Sequence, residues 1–396
     1  MDLTQLKIQD KESVMQTYGR YDIAFASGKN ARLLDTAGKE YIDFGSGIGV
    51  VSVGHSNDEW SAAVCRQVST LAHVSNLYYT EPYVRLARRL TELSGMAAAF
   101  FGNSGAEANE GAIKLARKYS RDKYGDGRAV VVTLLQSFHG RTMAALTATG
   151  QASFHQHFFP FLEGFRYSEP NDESALAAAL TEDVCAVMVE GIQGEGGVLP
   201  LTQSYVNLLM KLAKEKDILV IFDEVQTGNG RTGEMFSYQG LGVKPNIVTT
   251  AKGLGGGLPI GAILADELCR DVLSAGTHGS TFGANPICCA GALAVLDIIT
   301  APGFLAEVIR KGDKIRREIE SWNSPAIAEV RGKGLMLGIR INKASPKEAA
   351  AQLLTQGLVL LTAGVDVLRL LPPLTITDEE IDQGLDILKQ WITALK

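Results

Sequence analysis

The sequence predicts a layered α/β protein with a large, mostly parallel sheet and a second, smaller α+β domain. Three observations carry that prediction. From about Met96 to Asp266, short apolar runs alternate with helical patterns, the mark of a layered α/β domain. After Pro302 the pattern changes to a long helix, short strands and a final amphipathic helix from Asp378 onward. At 396 residues the chain also exceeds the length over which one hydrophobic core keeps growing.

Taken in order, residues 1–50 are expected to join the smaller domain, 51–300 to form the large one, and 301–396 to complete the small one. Within the large domain the strand candidates are AAAFF, AVVVTLL, VCAVMVE, ILVIF, NIVTT and PIGAIL. Between them a helix over 106–120 places Ala108, Ala112, Leu115, Ala116 and Tyr119 on one face. A second helix, 204–216, does the same with Tyr205, Leu208, Leu209 and Leu212. In the C-terminal part GLMLGIRI and VDVLRLL read as strands. No internal repeat or long linker separates the parts, so they are expected to be docked.

Composition excludes several classes of function. Hydrophobic residues make up 46% and charged residues 21%, ordinary for a folded globular chain. The 38 basic and 44 acidic side chains give a formal net charge of −6 with no basic block, which argues against nucleic acid as a partner. The N-terminus lacks a signal-peptide layout and no stretch offers 18 uninterrupted apolar residues, so a cytoplasmic location away from membranes is expected. Cys65, Cys185, Cys269, Cys288 and Cys289 lack CxxC spacing and nearby histidines; they read as buried thiols. His155 and His157 form an HxH pair without a third ligand at a plausible spacing, so no metal site is expected.

The chemistry gathers at strand ends. ILVIF runs into Asp223-Glu224, and the carboxyl ends of parallel strands face the ligand crevice. NIVTT ends at Ala251-Lys252, followed by Gly253, Gly255, Gly256 and Gly257, which let backbone approach a ligand closely. A lysine and an aspartate sharing a crevice would by themselves suggest only a salt bridge. Upstream, however, FFGNSGAEANEGAIKLARKY reads as strand, turn and helix, so unpaired backbone N–H groups converge where a phosphate sits. Lysine, buried acid and phosphate cradle are together the three anchors of pyridoxal phosphate. Asp223 would keep the ring nitrogen protonated, and Lys252 would hold the aldehyde carbon and then move a proton between carbons. Gly228-Asn229-Gly230-Arg231-Thr232-Gly233 matches the GxGxxG dinucleotide fingerprint, but five residues part it from the strand and no convincing helix follows, so that rival is set aside.

The motifs FGNSGAEANEGAIKLAR, SFHGRT, GIQGEGGV, IFDEVQTGNGRTG, AKGLGGGLPIGA, THGSTFGANP, VRGKGLMLG and RLLPPL occur in one order over nearly the whole length. In them the chain resembles the class III (ornithine-type) aminotransferases, with the acetylornithine branch nearest. The resemblance implies fold type I, with pyridoxal phosphate held as a Schiff base on Lys252 and Asp223 as partner of the pyridinium nitrogen. It also implies that Gln226 meets the ring oxygen, that Ser104, Gly105 and Ala106 hold the phosphate, and that Phe138 stacks on the ring while His139 shapes the loop. Thr281 would reach the phosphate of the neighbouring subunit, which implies a homodimer.

For substrates, the resemblance implies that Arg141 takes the carboxylate far from the reacting amine and Arg369 the α-carboxylate of glutamate or 2-oxoglutarate. Glu195 would neutralise Arg369 while the other substrate is bound, and Ser280 joins the substrate-binding set. Tyr18 would contact the α-carboxylate or acyl group, or serve only as a hydrophobic staple. The implied reaction is ping-pong transamination between N2-acetyl-L-ornithine and 2-oxoglutarate, giving N-acetyl-L-glutamate 5-semialdehyde and L-glutamate. Ornithine, succinylornithine and N-succinyl-LL-diaminopimelate enzymes share these motifs, and an aminomutase or a catalytically silent cofactor-binding protein are the alternatives from other classes. Ile48, where ornithine enzymes of the family tend to carry a tyrosine, suits an acylated amine better. The chain departs from the family pattern at Glu190-Gly191 and at Gly283-Ala284, which concerns loop geometry more than chemistry.

Overall fold

In the computed structural model, which describes residues 1–395, seven strands form the central sheet. Their order across the sheet is Ala98–Gly102, Gly261–Ala265, Ile247–Thr250, Leu219–Asp223, Val184–Val189, Val130–Leu134 and Phe165–Ser168. Gly261–Ala265 runs antiparallel to both its neighbours, and the other pairings are parallel. Parallel strands need helical crossovers, and helices on both faces bury both sides of the sheet. That is why Val184–Val189 is an unbroken apolar run and Leu219–Asp223 is one until its final aspartate, with every residue buried.

Helix Gly105–Tyr124 covers one face and buries Ala108, Ala112, Leu115, Ala116 and Tyr119, the stripe expected from the sequence. Helix Gln203–Lys216 lies on the other core and buries Tyr205, Val206, Leu209 and Ala213. Trimming a fully buried strand residue such as Ile221 to alanine would cost roughly 2–5 kcal/mol, from lost transfer energy plus the cavity left behind.

The two ends of the chain meet in a four-stranded sheet, where Leu358–Val359 pairs in parallel with Glu40–Asp43. A second four-stranded sheet holds Ile327–Lys333, Met336–Ile341, Val367–Leu370 and Leu361–Ala363 in that order. Helix Asp378–Ala394 closes over this region. Thr377 and Glu380 cap it reciprocally, and Ile381, Leu385, Leu388 and Ile392 form its buried stripe.

Three features differ from the sequence reading. Phe165–Ser168 is a strand at the sheet edge, although FRYS is too short and polar to announce one. Helix Leu3–Ser13 buries none of its residues, so the N-terminal segment contributes no core before the strands that begin at Phe25. Four cysteines are buried, but Cys65 is exposed on the helix Asp58–Val68.

The GNGRTG loop has a structural use. Arg231, 2% exposed, donates to the Leu335 and Pro372 carbonyls, tying the loop after Asp223 to the C-terminal sheet. Only a four-residue helix, Ser237–Gly240, follows it. Ala284 occupies the left-handed region at φ 59°, where a side chain costs roughly 1–2 kcal/mol over the right-handed form.

Candidate active site

A cavity of about 440 Å³ opens at the carboxyl ends of the parallel strands, and Lys252 and Asp223 both line it. Successive strand residues point to opposite sides, and this separates the two acids at the end of Leu219–Asp223. Glu224 turns away from the cavity centre and accepts from Ser237 Oγ, the Tyr238 amide and Thr227 Oγ1. Asp223, 3% exposed, faces inward. Its Oδ1 accepts from the Val225 amide at 3.0 Å, and its Oδ2 from Asn109 Nδ2 and His139 Nδ1, each at 2.8 Å.

His139 is therefore an ionic partner of Asp223 as well as a loop residue. Burial by itself would lower its pKa, but the hydrogen bond and charge of Asp223, with the charge of Glu190, outweigh that and raise it. Glu190 is 5% exposed, and burial pushes its carboxyl up to about 7 against the opposing pull of His139. Its oxygens accept from the amides of Phe138 at 3.1 Å and Gly194 at 3.4 Å, so it links the loop carrying Phe138 to the loop carrying Glu195.

Lys252 begins a short 3₁₀ turn just after strand Ile247–Thr250 and sits at φ 44°. Asn229 Nδ2 binds Thr250 Oγ1 and the Ala251 carbonyl and so braces that turn. Burial lowers the Lys252 pKa most; the charge of Glu195 opposes this and that of Arg369 reinforces it. The amine is thus biased toward its neutral, basic form.

The third anchor is the N-terminus of helix Gly105–Tyr124. Ser104 caps it by accepting from the Glu107 amide, while the first-turn amides of Gly105 and Ala106 have no intrahelical acceptor. A Cβ on Gly105 would come within 2.6 Å of Val225 Cγ1, so only glycine leaves the turn open to a ligand. The geometry fits pyridoxal phosphate: an anion cradle, a buried carboxylate and a poised amine line one cavity. Phe138 lines the same cavity.

At one end, behind the cavity residues Glu195 and Gln226, Arg369 is 3% exposed and does not itself line the cavity; its Nη1 donates to Glu195 Oε1 at 2.6 Å and to Gln226 Oε1 at 2.9 Å. Gln226 Nε2 also donates to Glu195 at 3.3 Å. Gly194 permits this cluster, since a Cβ there would lie 2.0 Å from Gln226 Oε1. Burial alone would raise the Glu195 pKa, but the Arg369 charge and hydrogen bond hold it below the usual value. At the other end, Arg141 is exposed and has no acceptor or ion-pair partner among the described residues. Its guanidinium lies over the rings of Phe154, at 4.3 Å, and Phe138, at 5.8 Å.

The remaining sequence candidates lie outside the cavity. Ser280 is close by: its Oγ accepts from Asn103 Nδ2 at 3.2 Å and from the Gly283 amide at 3.0 Å. Thr281 is exposed beside Ser75, Asn76 and Leu77 in a separate shallow groove. Tyr18 is 73% exposed and lines a groove between the N-terminal helix and residues 20–24. Within one chain neither lines the cavity that holds Lys252. His155 Nε2 meets the Leu146 carbonyl, and no cluster of three metal-ligand side chains occurs among the described residues. Asn109 and Val225 are cavity residues that the sequence reading passed over. Helical spacing was the available signal for Asn109, one turn after Gly105 on the same face.

The family model for Aminotransferase class-III matches residues 14–392. The acetylornithine aminotransferase of Haemophilus ducreyi is 48% identical over the full length of both chains, and that of Caldanaerobacter subterraneus is 47% identical over 98% of this chain and 99% of its own. Among solved structures, the ornithine aminotransferase of Toxoplasma gondii superposes with a TM-score of 0.95 at 32% identity, covering 100% of this chain and 96% of its own. The N-acetylornithine aminotransferase of Stenotrophomonas maltophilia superposes at 0.85 with 35% identity, covering 98% of each chain. Sequence, fold and a cavity built around Lys252 converge, and the chain belongs to the class III aminotransferases, pyridoxal-phosphate enzymes of fold type I.

Proposed function

We propose that this protein transfers the δ-amino group of N2-acetyl-L-ornithine to 2-oxoglutarate, giving N-acetyl-L-glutamate 5-semialdehyde and L-glutamate, a step of arginine biosynthesis. The observation that carries the reading is a free arginine lining the cavity together with a neutralised one held just behind the cavity residues Glu195 and Gln226. Arg369 is held by Glu195 at 2.6 Å, whereas Arg141 has no anionic partner. Such a site accepts a donor with a carboxylate only at its far end, then an acceptor with carboxylates at both.

Pyridoxal phosphate, when bound, supplies an aldehyde carbon that exchanges amine partners and a cationic ring that takes up the electrons of the breaking C–H bond. Asp223 holds the proton on the ring nitrogen, and His139 and Asn109 fix the orientation of that carboxylate. Ser104, Gly105 and Ala106 would hold the phosphate, with Phe138 and Gln226 as the residues that would meet the ring. Lys252, its amine pushed toward neutrality, takes the proton from the substrate carbon and returns it to the next. Glu195 masks Arg369 during the first half-reaction and yields it to the α-carboxylate of 2-oxoglutarate in the second. Arg141 binds the distal carboxylate.

The same proposal covers the assembly and the substrate pocket. Leu77, Tyr78, Tyr79 and Phe282 are 83%, 68%, 96% and 60% exposed around Thr281, which suits a second copy bringing Thr281 and Ser280 to the partner's cavity. Tyr18 would reach a substrate only by such an arrangement. Ile48, 45% exposed, offers an apolar wall for an acyl group. A cytoplasmic location belongs to this reading; no single helix among the described residues is long and apolar enough to cross a membrane.

Free ornithine is the second reading, favoured by the superposition on the Toxoplasma gondii enzyme. Rapid mixing of the holoenzyme with N2-acetylornithine, ornithine, succinylornithine and N-succinyl-LL-diaminopimelate separates them. Loss of the bound cofactor's visible absorbance should be fastest with N2-acetylornithine and be reversed by 2-oxoglutarate. Faster loss with another amine would replace the substrate, and no loss with any would overturn the aminotransferase reading.

A further inference from the structure

We infer that Phe154 is a positioning residue for the distal carboxylate, serving as a flat platform on which Arg141 is presented and across which it can shift. This rests on the reading of Arg141 as the receptor for that carboxylate. Phe154 does not line the cavity; it lies half-buried behind Arg141 in the short 3₁₀ turn Ala152–Phe154.

The argument begins with what holds Arg141. An arginine that must bind an anion needs its donors unspent, yet a side chain with four rotatable bonds is poorly placed if nothing restrains it. Ion pairing would restrain it and spend its donors, as at Arg369. Stacking restrains the guanidinium through its face and leaves all five in-plane N–H donors available. Arg141 is restrained by contact with the ring and not by an ion pair: its guanidinium carbon lies over Phe154, 4.3 Å from the ring centre. Phe154 is in turn set by an edge-to-face contact with Phe138, ring centres 5.6 Å apart. The cavity wall and the platform are therefore one aromatic unit.

The two substrates give this mode of restraint a purpose. Counted from the carbon that exchanges nitrogen, the far carboxylate of N2-acetylornithine lies one carbon further out than that of 2-oxoglutarate. A guanidinium pinned by directional hydrogen bonds would favour one length. Stacking attraction varies little as the cation slides over the ring, so one arginine can meet both.

The test uses holoenzyme with Phe154→Leu, with Phe154→Met to match the ring more nearly in bulk, and with Phe154→Tyr to restore the face. Half-reaction KM values for both substrates are measured, together with the dissociation constants of glutarate and adipate, unreactive dicarboxylates one carbon apart, from their effect on the cofactor's absorbance. Phe154→Leu and Phe154→Met should raise both KM values and weaken glutarate by roughly two- to fivefold, with kcat little changed. Pyruvate, which lacks a distal carboxylate, should be unaffected, and Phe154→Tyr should behave as the parent. In the parent, glutarate and adipate should bind within roughly tenfold of each other; a steeper preference overturns the sliding. If Arg141→Ala weakens glutarate but Phe154→Leu and Phe154→Met do not, the platform is wrong and the receptor stands. If Arg141→Ala has no effect either, the reading of Arg141 itself fails.

Discussion

Arg141 in the cavity wall and Arg369 behind Glu195 and Gln226 are read as solving the same problem, holding a carboxylate, under opposite conditions. Arg369 is 3% exposed, and a buried cation without a partner is expensive, so Glu195 and Gln226 engage its Nη1 before any ligand arrives. Arg141 is exposed, needs no counter-charge, and is oriented by aromatic faces. The difference teaches that burial decides whether an anion receptor can wait empty. A dry receptor must be gated by a carboxylate of the protein; a wet one has only to be steadied.

The comparison can be broken at four points. Arg369→Met should do the most. It removes the cation that would receive the α-carboxylate, and losing one partner of a buried charge pair costs roughly 2–5 kcal/mol in binding, so kcat/KM for 2-oxoglutarate should fall about 10²- to 10³-fold, with a smaller change in the amine half-reaction. Equal losses in the two half-reactions, measured separately, would mean Arg369 is not specific to the second. Glu195→Gln should free Arg369 and shift donor preference toward glutamate by roughly tenfold or more, the worth of a charge-assisted hydrogen bond. An unchanged ratio of half-reaction rates would remove the gate.

Arg141→Ala should raise KM for both substrates by about tenfold, and that contribution should shrink as salt is added, because the charge is exposed. A salt-independent effect would place Arg141 in a drier setting than its exposure indicates. The smallest effect concerns Glu190, a buried acid whose hydrogen bonds come from backbone amides alone. Its folded pKa of about 7 lies above its ordinary 4.5, so the unfolded chain loses that proton first as pH rises. Stability of the apoprotein should therefore decline between about pH 4.5 and 7 and level off above, by a few degrees in Tm. Glu190→Gln should flatten that slope; an identical slope in the variant would assign it to other groups.

Much of this was legible in the chain. Asp223 and Lys252 were found because apolar strand runs stop abruptly at them, and a strand end in a parallel sheet has a known address. The Gly102–Gly105 turn was found because glycines before an alanine-rich helix leave amides unspent. Partners set by long-range packing were not legible: nothing near His139 in sequence announces Asp223, 84 residues away, and nothing near Gln226 announces that its amide bridges Glu195 and Arg369. Edge strand Phe165–Ser168 was missed because pairing on one side only leaves little pattern to read. Thr281 and Tyr18 lie on segments that leave the core, where one chain's own packing says nothing of where a second copy would take them.

Arg231 gives the cavity a further mechanical property. By gripping the Leu335 and Pro372 carbonyls it clamps the segment after Asp223 to the chain just beyond Arg369. The spacing from Asp223 to Arg369 is then braced by buried hydrogen bonds, while Arg141 meets only aromatic rings. Efforts to make this enzyme accept longer or bulkier amines should therefore redesign the Arg141 side, since alterations around Arg369 would work against a calibrated distance.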